Sequence, residues 1–157
     1  MPRDHRTPWG ALVGLALLAA VAALTVLVVR GGDRVPDGPV PVVWNKESCA
    51  HCRMAVGEPR YAAQLITTAG EVVNFDDPGC LLRYLDERHP QVHRLWFHHP
   101  SQDRWLGPDQ VGFNTDAATP MGWGLVAADP GVDTLDLAAA RAYVATRAAG
   151  AEPGGRQ

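Results

Sequence analysis

The chain has 157 residues, a formal net charge of −3 and a pI near 6.0. That length holds one compact domain of ordinary size, or two very small units sharing a core, once non-globular ends are set aside. A mildly acidic balance without a basic stripe excludes nucleic acid as a partner.

From Gly10 to Val29 the sequence runs GALVGLALLAAVAALTVLVV without a charge. As a helix rising 1.5 Å per residue, this run covers the ~30 Å hydrocarbon core of a bilayer. The sequence therefore predicts a cytoplasmic N-terminus over residues 1–9 and a transmembrane anchor over 10–29. A cleaved secretory signal with Ala20-Val21-Ala22 as its A-x-A-like site is the competing reading, but the apolar run continues past it to Val29. Arg3 and Arg6 before the span are balanced by Arg30 and Arg34 after it, so the positive-inside rule discriminates weakly. The short leading segment points to a signal-anchor that leaves the bulk of the chain outside the cytoplasm. In that oxidising compartment three cysteines form an odd set, so at least one thiol is unpaired or occupied.

Residues 30–43, rich in Pro and Gly, read as a semi-extended tether. The folded domain is expected over 44–149. It opens with Cys49-Ala50-His51-Cys52-Arg53-Met54, which gathers much of the sulfur of a chain with three cysteines and three methionines. Thiolate and thioether are soft ligands that select Cu(I), zinc or iron–sulfur, and methionine among them tilts the choice toward Cu(I). A bare C-x-x-C also serves thioredoxin-like redox chemistry and half of many zinc sites.

Tyr61–Thr67 and Glu71–Phe75 flank Thr68-Ala69-Gly70 and are predicted to pair as a hairpin. Asp77 as N-cap and Pro78 at the first helical position start a helix with Leu81, Leu82, Tyr84 and Leu85 on its apolar face, stopped at His89-Pro90. Val92–His98 is a predicted strand, with Arg104-Trp105-Leu106 leading on from its turn, and Gly124–Ala128 is another. A helix from about Thr134 to Ala148 carries Leu137, Ala140, Val144 and Ala148 on one face. Residues 150–157 read as a disordered tail. Strands followed by a helix occur twice, so the fold class is α+β, with a small mixed or antiparallel sheet after the single N-terminal transmembrane helix.

Cys49 and Cys52 are candidate metal or redox residues, with a structural disulfide as the alternative. Met54 is a candidate ligand or a core gap-filler. Cys80 falls near a helix N-terminus, which lowers a thiol pKa, and follows two acids, which raise it; it is functional or a buried inert thiol. Met121, in the Gly-flanked loop Thr119-Pro120-Met121-Gly122-Trp123-Gly124, is a soft ligand or an ordinary surface methionine. His51 could donate an imidazole or face solvent. His98-His99 reads as a strand end with one ring outward, and Asp76 and Asp77 as helix-start residues, Asp76 with a possible second role tuning the site.

Three ordered motifs carry a resemblance to a known family. Cys49-x-x-Cys52-x-Met54, then Asn74-Phe75-Asp76-Asp77-Pro78-Gly79-Cys80-Leu81-Leu82-Arg83-Tyr84-Leu85, then Thr119-Pro120-Met121-Gly122-Trp123-Gly124 resemble the NosL family of nitrous oxide reductase accessory proteins. The resemblance implies a membrane-tethered Cu(I) chaperone outside the cytoplasm, on two related ββα-type units, here about 44–90 and 91–149. Its implied client is nitrous oxide reductase, or another cuproenzyme or copper carrier. Members of the family are commonly lipoproteins, whereas this chain has no lipobox cysteine and would use its own helix. The family often has glycine where this chain has Arg53, a cation expected to favour ionised thiols beside it.

On this reading Cys49, Cys52 and a methionine, with Cys80 as a further candidate, carry Cu(I) without catalysis. The runner-up is a membrane-anchored thiol-disulfide oxidoreductase cycling Cys49 and Cys52. A third reading is a structural zinc module of Cys49, Cys52, Cys80 and a histidine.

Overall fold

A computed structural model describes residues 8–32 and 35–151, in two compact units, one ending at Arg34 and one beginning at Val35. Of the expected cytoplasmic segment (1–9) and disordered tail (150–157), residues 1–7 and 152–157 lie outside the described residues, while Pro8 and Trp9 belong to the first helix and Gly150 and Ala151 to the last.

The first unit is helix α1, Pro8–Gly32, which runs three residues past the expected end of the anchor. Its side chains are described without a break from Leu12 to Leu27, about 24 Å of rise, and the large apolar ones are all exposed. Among the described residues no helix is long and apolar enough to cross a membrane.

The second unit is a small α+β domain. Its strands are β1 (Ala63–Thr67), β2 (Val72–Phe75), β3 (Val92–His98), β4 (Trp105–Leu106), β5 (Gly112–Asn114) and β6 (Val126–Ala128), and its helices are α2 (Pro78–Arg88) and α3 (Leu137–Ala151). A four-stranded antiparallel sheet has the order β2-β1-β3-β4, and β5 pairs with β6 in a second, two-stranded sheet. Strands from both halves of the sequence thus share one sheet, with β1 hydrogen-bonded to β3 as well as to β2.

The β1–β2 hairpin forms where the sequence predicts it, with Gly70 at φ 84 in the turn. The first strand begins at Ala63 rather than Tyr61, because Pro59–Tyr61 coil into a 3-10 turn. The strand predicted from Gly124 starts at Val126, since Gly124 has φ 77, which no extended strand accommodates. Helix α3 starts at Leu137 rather than Thr134, because Asp136 caps it through the Ala139 N–H at 2.8 Å.

Alternation along β1 assigns its faces. Ala63 and Leu65, with their partners Phe75, Val73, Phe97 and Leu95, face the helices and join Leu81, Leu82, Ala140 and Val144 in the core. Phe97 meets Phe113 of β5 edge-on, and Phe75 meets Tyr84 of α2 the same way. The opposite face carries Gln64, which is fully buried. Its side chain accepts the Val40 N–H at 2.7 Å, donates to the Val40 carbonyl at 3.0 Å and donates to Asn74 at 2.8 Å. Asp37 bonds His93 and Arg94 at 3.0 and 3.1 Å. The stretch around Asp37 to Val40, within the Pro/Gly-rich segment, is therefore strapped across the sheet.

His98 and His99 are both buried, at 6% and 7% exposure, where one ring was expected to be solvated. His98 donates from Nδ1 to the His99 carbonyl at 2.9 Å and packs edge-on against Trp44 and Trp105. These aromatic neighbours and the backbone acceptor give the ring a place inside that strand alternation alone does not reveal.

Candidate metal centre

The C-x-x-C turn is a tight loop pinned at both ends. Ser48 and Ala55 form an isolated bridge, the Cys49 N–H donates to the Met54 carbonyl at 2.8 Å, and the Arg53 N–H donates to the Cys49 carbonyl at 3.0 Å. The loop is docked on β2, where the Ala50 N–H donates to the Asn74 carbonyl at 3.0 Å. Arg53 adopts φ 70, the left-handed region that glycine enters most easily. Just after β2, Asp76 is buried and its carboxylate accepts the Gly57 N–H at 3.0 Å, tying down the chain that leaves the loop.

Cys80 approaches from α2. Asp77 caps that helix by accepting the Gly79 N–H, and Pro78 holds its first position, so Cys80 is fixed on the buried face of the first turn. The sulfurs of Cys49, Cys52 and Cys80 lie within 4.8 Å of one another, with no disulfide among them. Cys49 and Cys80 are fully buried and Cys52 is half-buried, so the group opens to solvent on the Cys52 side.

The three thiols are not equivalent. Cys49 is held down from 9.0 to about 5, first by the hydrogen bond from the Cys80 thiol and then, against the cost of burial, by the backbone N–H groups of Asp76, Cys52 and His51. Cys80 is pushed well above the ordinary thiol range, chiefly because its proton is donated to Cys49, and further by burial. Cys52 is raised by burial. Cys49 is thus the sulfur most favoured as a thiolate, with the Cys80 thiol and a nest of amides directed at it. The charge-favouring role expected of Arg53 falls to Cys80 and these amides. The helix N-terminus does not lower Cys80, because its proton bond to Cys49 and burial outweigh the dipole.

Met54 is 57% exposed, at the close of the C-x-x-C loop, and so is no core gap-filler. Met121 is 40% exposed and lines an open depression of about 560 Å3 with Gly122, Trp123, Arg147 and Gly150. Its backbone N–H donates to Asp77 at 3.1 Å, bringing the Met121 loop to the end of α2 that carries Cys80. His51 turns Nδ1 toward Glu87 of α2 at 3.5 Å. Among the described residues, the cluster of His, Cys, Asp and Glu groups able to hold an ion consists of the three cysteines.

The sequence marks Asp77 only as a helix start and gives Gly79 no role of its own, whereas the structure brings both against the Met121 loop.

A donor set of three sulfurs, one already ionised, suits a soft cation. A cation held there would displace the remaining thiol protons. No protein-family profile and no curated protein matches the chain. Among solved structures, the chain is similar to the crystal structure of the copper chaperone NosL from Shewanella denitrificans, at 16% identity and a TM-score of 0.46, over 71% of this chain and 89% of that one.

Proposed function

We propose that this chain is a membrane-anchored Cu(I) carrier, working outside the cytoplasm and delivering copper for the assembly of a cuproenzyme. The observation that carries the reading is the convergence of Cys49, Cys52 and Cys80 within 4.8 Å in a domain where all three thiols are free. Cu(I) is cargo here, bound and released by ligand exchange, and no bond of a substrate is made or broken. Two or three thiolates hold Cu(I) in a low-coordinate site. The half-buried Cys52 lies where an incoming ligand can reach the ion, and the exposed Met54 and Met121 are the candidate thioether ligands. The apolar run of 10–29 supports the anchor. The ordered motifs that resemble the NosL family support nitrous oxide reductase as the client.

The thiol oxidoreductase reading gains from the lowered Cys49, but such a nucleophile is ordinarily exposed. Here the ionised sulfur is fully buried and the accessible Cys52 is raised. A structural zinc site takes four ligands, against three among the described residues.

Anaerobic titration of Cu(I) into the reduced chain against a chromogenic chelator, with Zn(II) in parallel, tests the proposal. Tight Cu(I) binding that is lost in Cys49→Ser/Cys52→Ser, with an apo form that stays folded, is expected. Folding only with zinc, or failure to compete for Cu(I), would refute it.

A further inference from the structure

Asp77 and Gly79 stand at the start of α2, yet their most telling contacts run to the loop around Met121. Asp77 is fully buried. One carboxylate oxygen accepts the Gly79 N–H at 2.8 Å, an ordinary helix cap. The other accepts the Met121 N–H at 3.1 Å. Thr119 closes the loop on itself, since its hydroxyl accepts the Gly124 N–H at 3.3 Å and its carbonyl accepts the Gly122 N–H at 3.0 Å. The whole loop therefore hangs from one buried carboxylate.

Gly79 supplies the second half of the clamp. A Cβ there would fall 2.2 Å from Cγ of Trp123, so the indole lies directly on the helix backbone. The ring nitrogen of Trp123 is buried and has no partner among the described residues, so packing on Gly79, not a hydrogen bond, sets its place. A cap alone does not require a buried carboxylate or a glycine in the first helical turn. Burial of a charge is costly, and glycine is a poor helix former. Both costs are explained if the loop must be held against the helix end that carries Cys80.

We propose that Asp77 and Gly79 are positioning residues for Cu(I) binding, clamping the Met121 loop onto the start of α2 so that the Met121 thioether joins the thiol cluster as a further soft ligand. The inference rests on the Cu(I)-carrier reading. A thioether on a free loop would lose much of its binding free energy to ordering, and the clamp removes that cost before the ion arrives.

Gly79→Ala is the informative variant, because alanine suits a helix better than glycine while its Cβ displaces Trp123. Cu(I) affinity is measured anaerobically on the full chain, by chelator competition, for the parent, Gly79→Ala, Met121→Ala and the double variant. Each single substitution is expected to weaken binding about 10- to 100-fold, the usual effect of removing a group that orients a ligand. The double variant is expected to bind no more weakly than Met121→Ala, since the clamp acts only through Met121. Equal losses from Gly79→Ala in both backgrounds would make the contact merely structural and overturn the proposal. So would parent-like binding by either single variant. Trp123→Ala must follow the same pattern and serves if Gly79→Ala does not fold. If the parent binds Cu(I) no better than Cys49→Ser/Cys52→Ser, the carrier reading itself fails and the clamp with it.

Discussion

At the residue scale, the thiol group combines one stabilised thiolate with two raised thiols, and their accessibilities differ. A bulky maleimide applied to the reduced apo chain should label Cys52 first, leaving Cys49 and Cys80 protected until the chain unfolds. Peptide mapping by mass spectrometry reads this directly, and early labelling of Cys49 would contradict its burial. Arg53 occupies a left-handed position at φ 70, which disfavours any side chain by about 1–2 kcal/mol. Arg53→Gly should retain Cu(I) binding and raise apo stability by up to about 1 kcal/mol, measured by chemical denaturation. Backbone geometry therefore favours glycine at this position, which the C-x-x-C spacing alone does not disclose. Asp76 and Asp77 are both raised above 3.8, mainly by burial. A carboxyl whose folded pKa is raised binds its proton more tightly in the native state, so its stabilising contribution is present at low pH and lost as pH rises through the raised folded value. Asp77→Asn should therefore flatten the loss of apo stability as pH climbs above about 4. Denaturation midpoints across that range would show an unchanged slope if Asp77 were not buried as a carboxylate.

At the scale of elements, local signals located what they could reach. The Gly70 turn, the Asp77-Pro78 start and the His89 stop, where the C-cap adopts φ 46, each act within a few residues, so β1, β2 and α2 were readable. β5 spans only Gly112–Asn114 and owes its existence to pairing with β6 and a bridge from Phe113 to Leu135, so no local pattern announced it. The docking of the Asp37–Val40 stretch was hidden for the same reason, because Gln64 meets Val40 across 24 residues. Gln64→Leu should leave the Val40 and Asn74 polar groups unpaired and cost about 2–3 kcal/mol. Limited proteolysis should then cut within residues 35–43 well before the core, whereas resistance equal to the parent would show that the strap does not depend on Gln64.

For the whole molecule, the motif order made the sulfur site legible while the distances did not. Cys49 and Cys52 announce themselves by spacing, but only the docking of their loop on β2 and the approach of α2 bring Cys80 to them. Met121 and Asp77 join through a hydrogen bond spanning 44 residues. The anchor is the reading that sequence carries alone. Full-length chain should fractionate with membranes and resist alkaline carbonate extraction, and release into the soluble fraction would contradict it. The central claim is an ion held by sulfur. Copper K-edge X-ray absorption on the full chain, reduced and loaded anaerobically with Cu(I), tests it most directly. A first shell made entirely of sulfur is expected; a shell dominated by nitrogen or oxygen would rule out the thiol cluster as the binding site.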